Sequence, residues 1–189
     1  MKMVDDYGIY MFDMNMKFIV FQTDWGYFGL AGNKNRLYAA VLPQKNSDKA
    51  EKLLSAKVSR YGNGAMEYDK TLFSVLKEQI IDYFCGKKVD FDYSDIVFPQ
   101  ELISGFSGGV LQRCIDIKYG ETKTYGELAL SAGSAKAFRA AGGVLAKNPL
   151  PLIIPCHRVI RADGSIGGFS ADGGVAIKAG MLNLEAENR

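Results

Sequence analysis

Three runs rich in aromatic and β-branched residues follow one another: KFIVFQT (17–23), YFGLAGN (27–33) and RLYAAVLP (36–43). Only the turn signals Asp24–Gly26 and Asn33–Asn35 separate them. Such compositions favour extended chain, and links this short leave each run its neighbour to pair with, so the first half is constrained to a β-meander. The stretch DKTLFSVLKEQIIDYFCGKK then spaces Leu72, Phe73, Leu76, Ile80, Tyr83 and Phe84 along one helical face. Asp69 is placed to cap the start of that helix, and Gly86 with its two following lysines suits the end. Cys85, at that end, reads as a small buried hydrophobe.

Residues 86–104 lack a steady period, contain a proline and read as a connection. The second half is helical in a different way. VLQRCIDIKYG (110–120) reads as a short apolar helix ending at Gly120, with Cys114 in its core. YGELAL, SAGS and AKAFRAAGGVLAKN follow as two helices joined by a four-residue turn, the outline of a helix-turn-helix, with Ser134 placed to cap the second helix. That helix surrounds Arg139 with Ala135, Ala137, Ala140, Ala141, Gly142 and Gly143. Two readings stay open at this point: a low-relief surface that docks into a narrow charged groove, or close helix–helix packing.

Net charge is only +2, but its distribution is uneven. Residues 1–103 carry 13 Lys/Arg against 14 Asp/Glu, whereas residues 104–189 carry 10 against 7. Between Ser131 and Arg161 lie Lys136, Arg139, Lys147, Arg158 and Arg161 with no acid among them, which suits a polyanion. No run approaches the ~20 apolar residues that span a bilayer, and the opening MKMVDDYGIY puts acids where a signal peptide has its apolar stretch. Three cysteines without a C-x-x-C pair, together with a single histidine, suit a reducing, cytoplasmic setting with no disulfide framework and no metal.

The sharpest chemical signal is PLIIPCHRVI (151–160), an apolar run that ends in Cys156, His157 and Arg158. A cysteine beside a base and a cation fits an activated nucleophile, since the thiolate is the reactive species. Neighbouring side chains in extended chain point apart, so Cys156 and His157 would communicate through one water or through a turn after Pro155. Glu185 is a candidate to orient the histidine. The plain alternative is a buried structural cysteine beside a satisfied histidine.

The stretch GETKTYGELALSAGSAKAFRAAGGVLAKNPLPLIIPCHRVIRADGSIGGF resembles the O6-alkylguanine-DNA alkyltransferase family, the suicide repair proteins for alkylated guanine. The likeness covers about residues 104–185, with NPLP and PCHRVI as its most specific part. It implies an α+β fold: a small ribonuclease-H-like α/β domain over 1–100, and a mainly helical catalytic and DNA-binding domain with a helix-turn-helix over 104–189. It also implies irreversible, single-turnover transfer of the alkyl group of O6-alkylguanine to Cys156. The protein would be a monomer that binds duplex DNA through the minor groove and flips the base out, without cofactor or membrane. O4-alkylthymine stays open as a second substrate. The compartment implied is the cytoplasm, at the nucleoid in a prokaryote, or the nucleus in a eukaryote.

Carried residue by residue, the resemblance makes Cys156 the alkyl acceptor, with His157 acting on it through a bound water and Glu185 orienting His157. Asn148 would hold the turn beneath the site, and Tyr125 would donate toward guanine N3. Arg139 would enter the base stack, with Ser134, Lys136, Ala140 and Gly143 along the docking surface. The backbone of Val159 and the loop at Ser170, with Phe169, would line the guanine pocket. Three features depart from the family pattern: Phe138 stands where a small residue is usual and would add a stacking wedge or alter the docking; the loop GGFSADGGVAIK is two residues longer than usual, with Phe169 in place of tyrosine; and the helix near Val110 is one residue short, which bears on Ser107 as a phosphate contact. Rival functions are a non-catalytic lesion sensor, a regulator that uses the cysteine as a switch, and a thiol hydrolase. Cys156 argues against the first, the lack of an effector domain against the second, and the adjacency of the sole histidine against the third.

Overall fold

The computed structural model describes residues 15–61, 65–94, 96–98, 102 and 104–188. It is a mixed α+β architecture that opens with strands β1 (Lys17–Thr23), β2 (Gly26–Asn33) and β3 (Arg36–Gln44). The meander is antiparallel, and a short β4 (Glu67–Tyr68) adds to β1 in parallel, giving the order β3-β2-β1-β4. Both sheet faces are covered. One carries Phe18, Ala31, Tyr38 and Val41 and packs on helix α1 (Ser47–Val58) through Leu54 and Val58. The other carries Ile19, Phe28, Leu30, Leu37 and Leu42 and joins a core that runs on to Ile80, Val110, Cys114, Ile154 and Met181. Two-sided burial is why these strands read as nearly continuous apolar runs.

Helix α1 went unforeseen. Asn46 caps it by accepting from the Lys49 amide, and only Ala50, Leu54 and Val58 are buried, in steps of four on an otherwise polar helix. Helix α2 (Ser74–Phe84) starts later than predicted, because Phe73 before it adopts a left-handed φ of 51°. Asp69 therefore caps a turn rather than the helix: it accepts from the Thr71 amide and hydroxyl and pairs with Lys17. Cys85 is exposed, not buried, with its thiol against Asp24.

Helix α3 spans Gly105–Ile115 and does not reach Gly120, which turns the chain at φ 73°. The short β5 (Lys123–Thr124) leads into α4 (Tyr125–Ser131), whose start carries a capping box between Thr124 and Glu127. Helix α5 is Phe138–Ala146. The link before it is longer than the predicted turn, and Ser134 does not cap the helix with its side chain; its carbonyl accepts from the Ala137 amide, and Ala137 is the cap residue. A 3₁₀ turn (Cys156–Arg158) runs into β6 (Val159–Ile160), which pairs in parallel with β5, and α6 (Gly174–Glu187) closes the fold. The opening residues 1–14 and most of the predicted domain boundary near residue 100 lie outside the described residues.

The outer edge of β3 anchors the second half of the chain. There the Leu37 amide donates to Val97 O (3.1 Å) and the Ala40 amide to Pro149 O (2.9 Å), so the segment before Cys156 is docked on the meander. The shielded edge also removes a template for aggregation. Leu54 is fully buried under Gly29, where an added Cβ would stand 2.7 Å from a Leu54 methyl. Leu54→Ala is expected to lower the unfolding free energy by about 2–5 kcal/mol in a urea titration, because so close an arrangement leaves a cavity when the side chain is removed.

Candidate active site

The chain from Asn148 to Arg158 is built around one amide side chain. The Asn148 oxygen accepts from the Leu150 amide (3.0 Å), while its NH₂ donates to Ile154 O (2.9 Å) and to Cys156 Sγ (3.1 Å). Asn148 thus staples both ends of the loop and touches the sulfur. Leu152 within the loop holds a left-handed φ of 74°, a conformation disfavoured for a branched residue and here imposed by the contacts around it. Cys156, His157 and Arg158 then take a 3₁₀ turn rather than extended chain, and all three are buried.

The two residues after Cys156 meet a buried carboxylate. Glu185 Oε1 accepts from His157 Nε2 (2.8 Å), Tyr83 Oη (2.9 Å) and Arg158 Nη2 (3.0 Å). Arg158 Nε reaches both oxygens at 3.1 and 3.0 Å, and the Gly120 amide donates to Oε2 (2.9 Å). The positive φ of Gly120 is what aims that amide. Burial alone would raise the Glu185 pKa, but His157 and Arg158 outweigh it and hold the carboxyl down at about 2. Burial pushes the His157 pKa down against the pull of Glu185, so the ring is neutral at pH 7. The carboxylate only accepts, which assigns the ring proton to Nε2 and leaves Nδ1 with a free lone pair. Nδ1 is buried and has no partner among the described residues.

The Cys156 thiol is 6 % exposed, and burial raises its pKa, opposed by the Asn148 hydrogen bond and by the charges of Lys178 and Lys57. At rest it is a thiol in need of a base. It opens onto a cavity of about 330 Å³ lined by Tyr125, Gly142, Leu145, Phe169 and Ser170, among others. Gly167 (φ 76°) lets the loop approach the Tyr125 ring, since a Cβ there would lie 3.3 Å from it. Burial raises the Tyr125 pKa, so this phenol keeps its proton and can donate it. Ser170 Oγ donates to Ala146 O (2.6 Å), pinning the loop to the end of α5. Val159 is fully buried and not at the cavity surface; its carbonyl accepts from Lys178 Nζ (2.5 Å).

Helix α5 lines the cavity through Gly142, Leu145 and Ala146. Arg139, Ala140 and Gly143 are exposed, Lys136 is exposed just before the helix, and Ser134 is half-buried. Arg139 leans over the Phe138 ring (5.7 Å), which is 48 % exposed. Close packing explains Ala141, which is buried, but not Ala140 or Gly143, which face outward. Among the described residues, no cluster of His, Cys, Asp and Glu could hold a metal ion, and no helix is long and apolar enough to cross a membrane. Sequence reasoning missed Tyr83, which reads as a core aromatic, and the buried Lys178, whose ammonium sits near the rings of Tyr125 (5.8 Å) and Phe169 (5.9 Å). Arg158 serves Glu185 rather than the thiol.

Residues 105–187 match the family model for the DNA-binding domain of 6-O-methylguanine DNA methyltransferase. A methylated-DNA–protein-cysteine methyltransferase of Methanosarcina barkeri is 39 % identical over 120 residues, which is 64 % of this chain and 72 % of that protein. The crystal structure of Mycobacterium tuberculosis O6-methylguanine methyltransferase superposes with a TM-score of 0.72 at 28 % identity, covering 92 % of this chain and 94 % of that one. The M. tuberculosis OGT structure in complex with DNA matches with the same score and identity over 90 % and 93 % of the two chains.

The carboxylate network makes stability depend on pH in one direction. A carboxyl held near 2 against an ordinary 4.5 contributes stability that is complete above pH 4.5 and is lost as pH falls toward 2, on the order of 3 kcal/mol. His157, held neutral in the fold, adds a loss that begins as pH falls below its ordinary 6.5. The urea midpoint is expected to be level from pH 8 to 7, to decline below 6.5 and to fall more steeply below 4.5. Glu185→Gln is expected to cost about 3–5 kcal/mol at pH 7, because it strands Arg158, and to remove the steep acid limb.

Proposed function

The chain belongs to the methylated-DNA–protein-cysteine methyltransferase family, whose work is DNA repair by alkyl transfer, and from that premise we propose that it moves the alkyl group of an O6-alkylguanine in duplex DNA onto Cys156, once per molecule. The observation that carries the reading is the Cys156 sulfur, which shares a cavity with a phenol that can donate a proton and is followed in the chain by a buried, neutral imidazole with an unpartnered Nδ1. Displacement at a saturated carbon needs a soft nucleophile on one side and a stabilised leaving group on the other. His157 Nδ1 takes the thiol proton through a bridging water, and Glu185 steadies the imidazolium that forms. Tyr125 donates toward guanine N3 as the base leaves. The product thioether is stable and no group in the site restores the thiol, which makes the protein its own consumed reagent.

A base inside a duplex cannot reach this cavity, so it is flipped out at a cost of a few kcal/mol. In this reading α4 and α5 form a helix-turn-helix that enters the minor groove, where the low relief of Ala140 and Gly143 permits close approach. Arg139 fills the vacated stack and Phe138 acts as a second wedge. Lys136 and Ser134 face the backbone, Phe169 and Ser170 bound the base, and the N-terminal meander with its helices is ribonuclease-H-like. The protein works as a monomer.

The test is intact mass and peptide mapping after mixing with duplex DNA that carries one O6-methylguanine. The protein is expected to gain one methyl group on the Cys156 peptide and none in Cys156→Ser, with product equal to protein and no turnover. Binding without transfer would leave a lesion sensor, and repeated turnover a hydrolase. Tyr125→Phe is expected to slow single-turnover transfer about 10²-fold, as loss of a general acid does, with little change in DNA affinity.

A further inference from the structure

The acceptor sulfur opens on two sides. A second cavity, of about 150 Å³, reaches Cys156 from the flank and shares Leu145, Ala146, Phe169 and Ser170 with the first, so the two are contiguous at the sulfur. Its far wall includes Lys57, from the last turn of α1 in the N-terminal half. The docking of Pro149 on β3 and the ion pair between Lys49 and Asp172 bring that helix alongside the site. Lys57 is half-buried, and no anion pairs with it among the described residues. Burial and then Arg60 push its pKa down, opposed by Cys156. A partly desolvated cation without a counter-charge is costly unless something anionic meets it. Lys147 on the same cavity adds to the positive field.

In-line displacement fixes what can enter this space. Sulfur, reacting carbon and guanine O6 must lie on one line, so any substituent on that carbon projects sideways. The side that opens is the second cavity. We propose that this cavity is a subsite for the substituent on the transferred carbon, and that Lys57 makes it select alkyl groups bearing a carboxylate, of which carboxymethyl is the smallest. This rests on the transfer of an alkyl group to Cys156. The Sγ–carbon bond forms as the carbon–O6 bond breaks, the electron pair leaves on the guanine, and guanine takes up the proton that the thiol gave away. The products are S-carboxymethylcysteine and unmodified guanine. Lys57 acts on specificity and does not touch the reacting atoms.

Single-turnover rates are measured on duplexes carrying O6-methyl-, O6-carboxymethyl- or O6-carbamoylmethylguanine, the last being a neutral match for the acid. The readout is the carboxymethyl-to-carbamoylmethyl rate ratio, expected to fall about tenfold in Lys57→Met, the loss expected of a charge-assisted hydrogen bond, and to return in Lys57→Arg. A ratio equal in all three proteins overturns the proposal. So does an equal slowing of all three substrates with weaker DNA binding, which would mean that the cavity holds a backbone phosphate instead. If Lys57→Met does not fold, a crystal structure of the carboxymethylated wild type decides: its carboxylate is expected within hydrogen-bond distance of Lys57 Nζ, and one pointing elsewhere sinks the idea. Failure of wild type to accept even the methyl group would overturn the transfer reading itself, whereas methyl transfer without carboxymethyl transfer would overturn only this proposal.

Discussion

Everything around the sulfur depends on keeping one carboxylate dry. Glu185 is 1 % exposed, and a bare buried charge of that kind costs several kcal/mol. It is tolerated because Tyr83, Gly120, His157 and Arg158 converge on its two oxygens. These donors come from α2, from the turn after α3 and from the 3₁₀ turn, while the acceptor comes from α6. The electrostatic requirement is thus a spatial one, because four distant stretches of chain must meet within hydrogen-bond reach. The same convergence fixes the histidine tautomer, and with it the direction in which a proton can move.

A second constraint acts from the opposite side. The Asn148 loop has its polar atoms satisfied by its own side chain, by Tyr93 at Ile153 O (2.8 Å) and by the edge of β3 at Pro149. The strained Leu152 is held by those contacts rather than by any local preference. The nucleophile is therefore set by a rigid loop between the sheet edge and the carboxylate. A site that must bring sulfur, carbon and oxygen into line benefits from such rigidity, since small misplacements cost rate steeply.

The three meander strands were legible almost to the residue because both of their faces are apolar. Helix α1 was not, because a polar helix that buries only Ala50, Leu54 and Val58 gives a weak periodic signal. The starts of α2 and α5 were misplaced where a residue with cap-like chemistry, Asp69 or Ser134, spent its hydrogen bonds on a turn. Around the sulfur, Cys156 and His157 could be picked out because their polar chemistry is conspicuous at the end of an apolar run, Glu185 was a candidate to orient the histidine, and Asn148 came from the family resemblance alone; the structure brings all four together. Tyr83, Lys178 and Lys57 could not. Aromatic residues in helices and lysines on helices have ordinary local explanations, and only tertiary packing gives them their partners around the site. Val159 stood in the right stretch but lies behind the cavity wall.

The docked edge of β3 has a consequence for what counts as one working part. The match to the DNA-binding-domain model begins at Gly105. Yet the hydroxyl on Glu185, the strand that steadies Pro149 and the ammonium on the flanking cavity are all encoded before it. The domain model and the working part are therefore not the same length of chain. A fragment cut at Gly105 would keep the reactive sulfur and lose part of the frame that aims it.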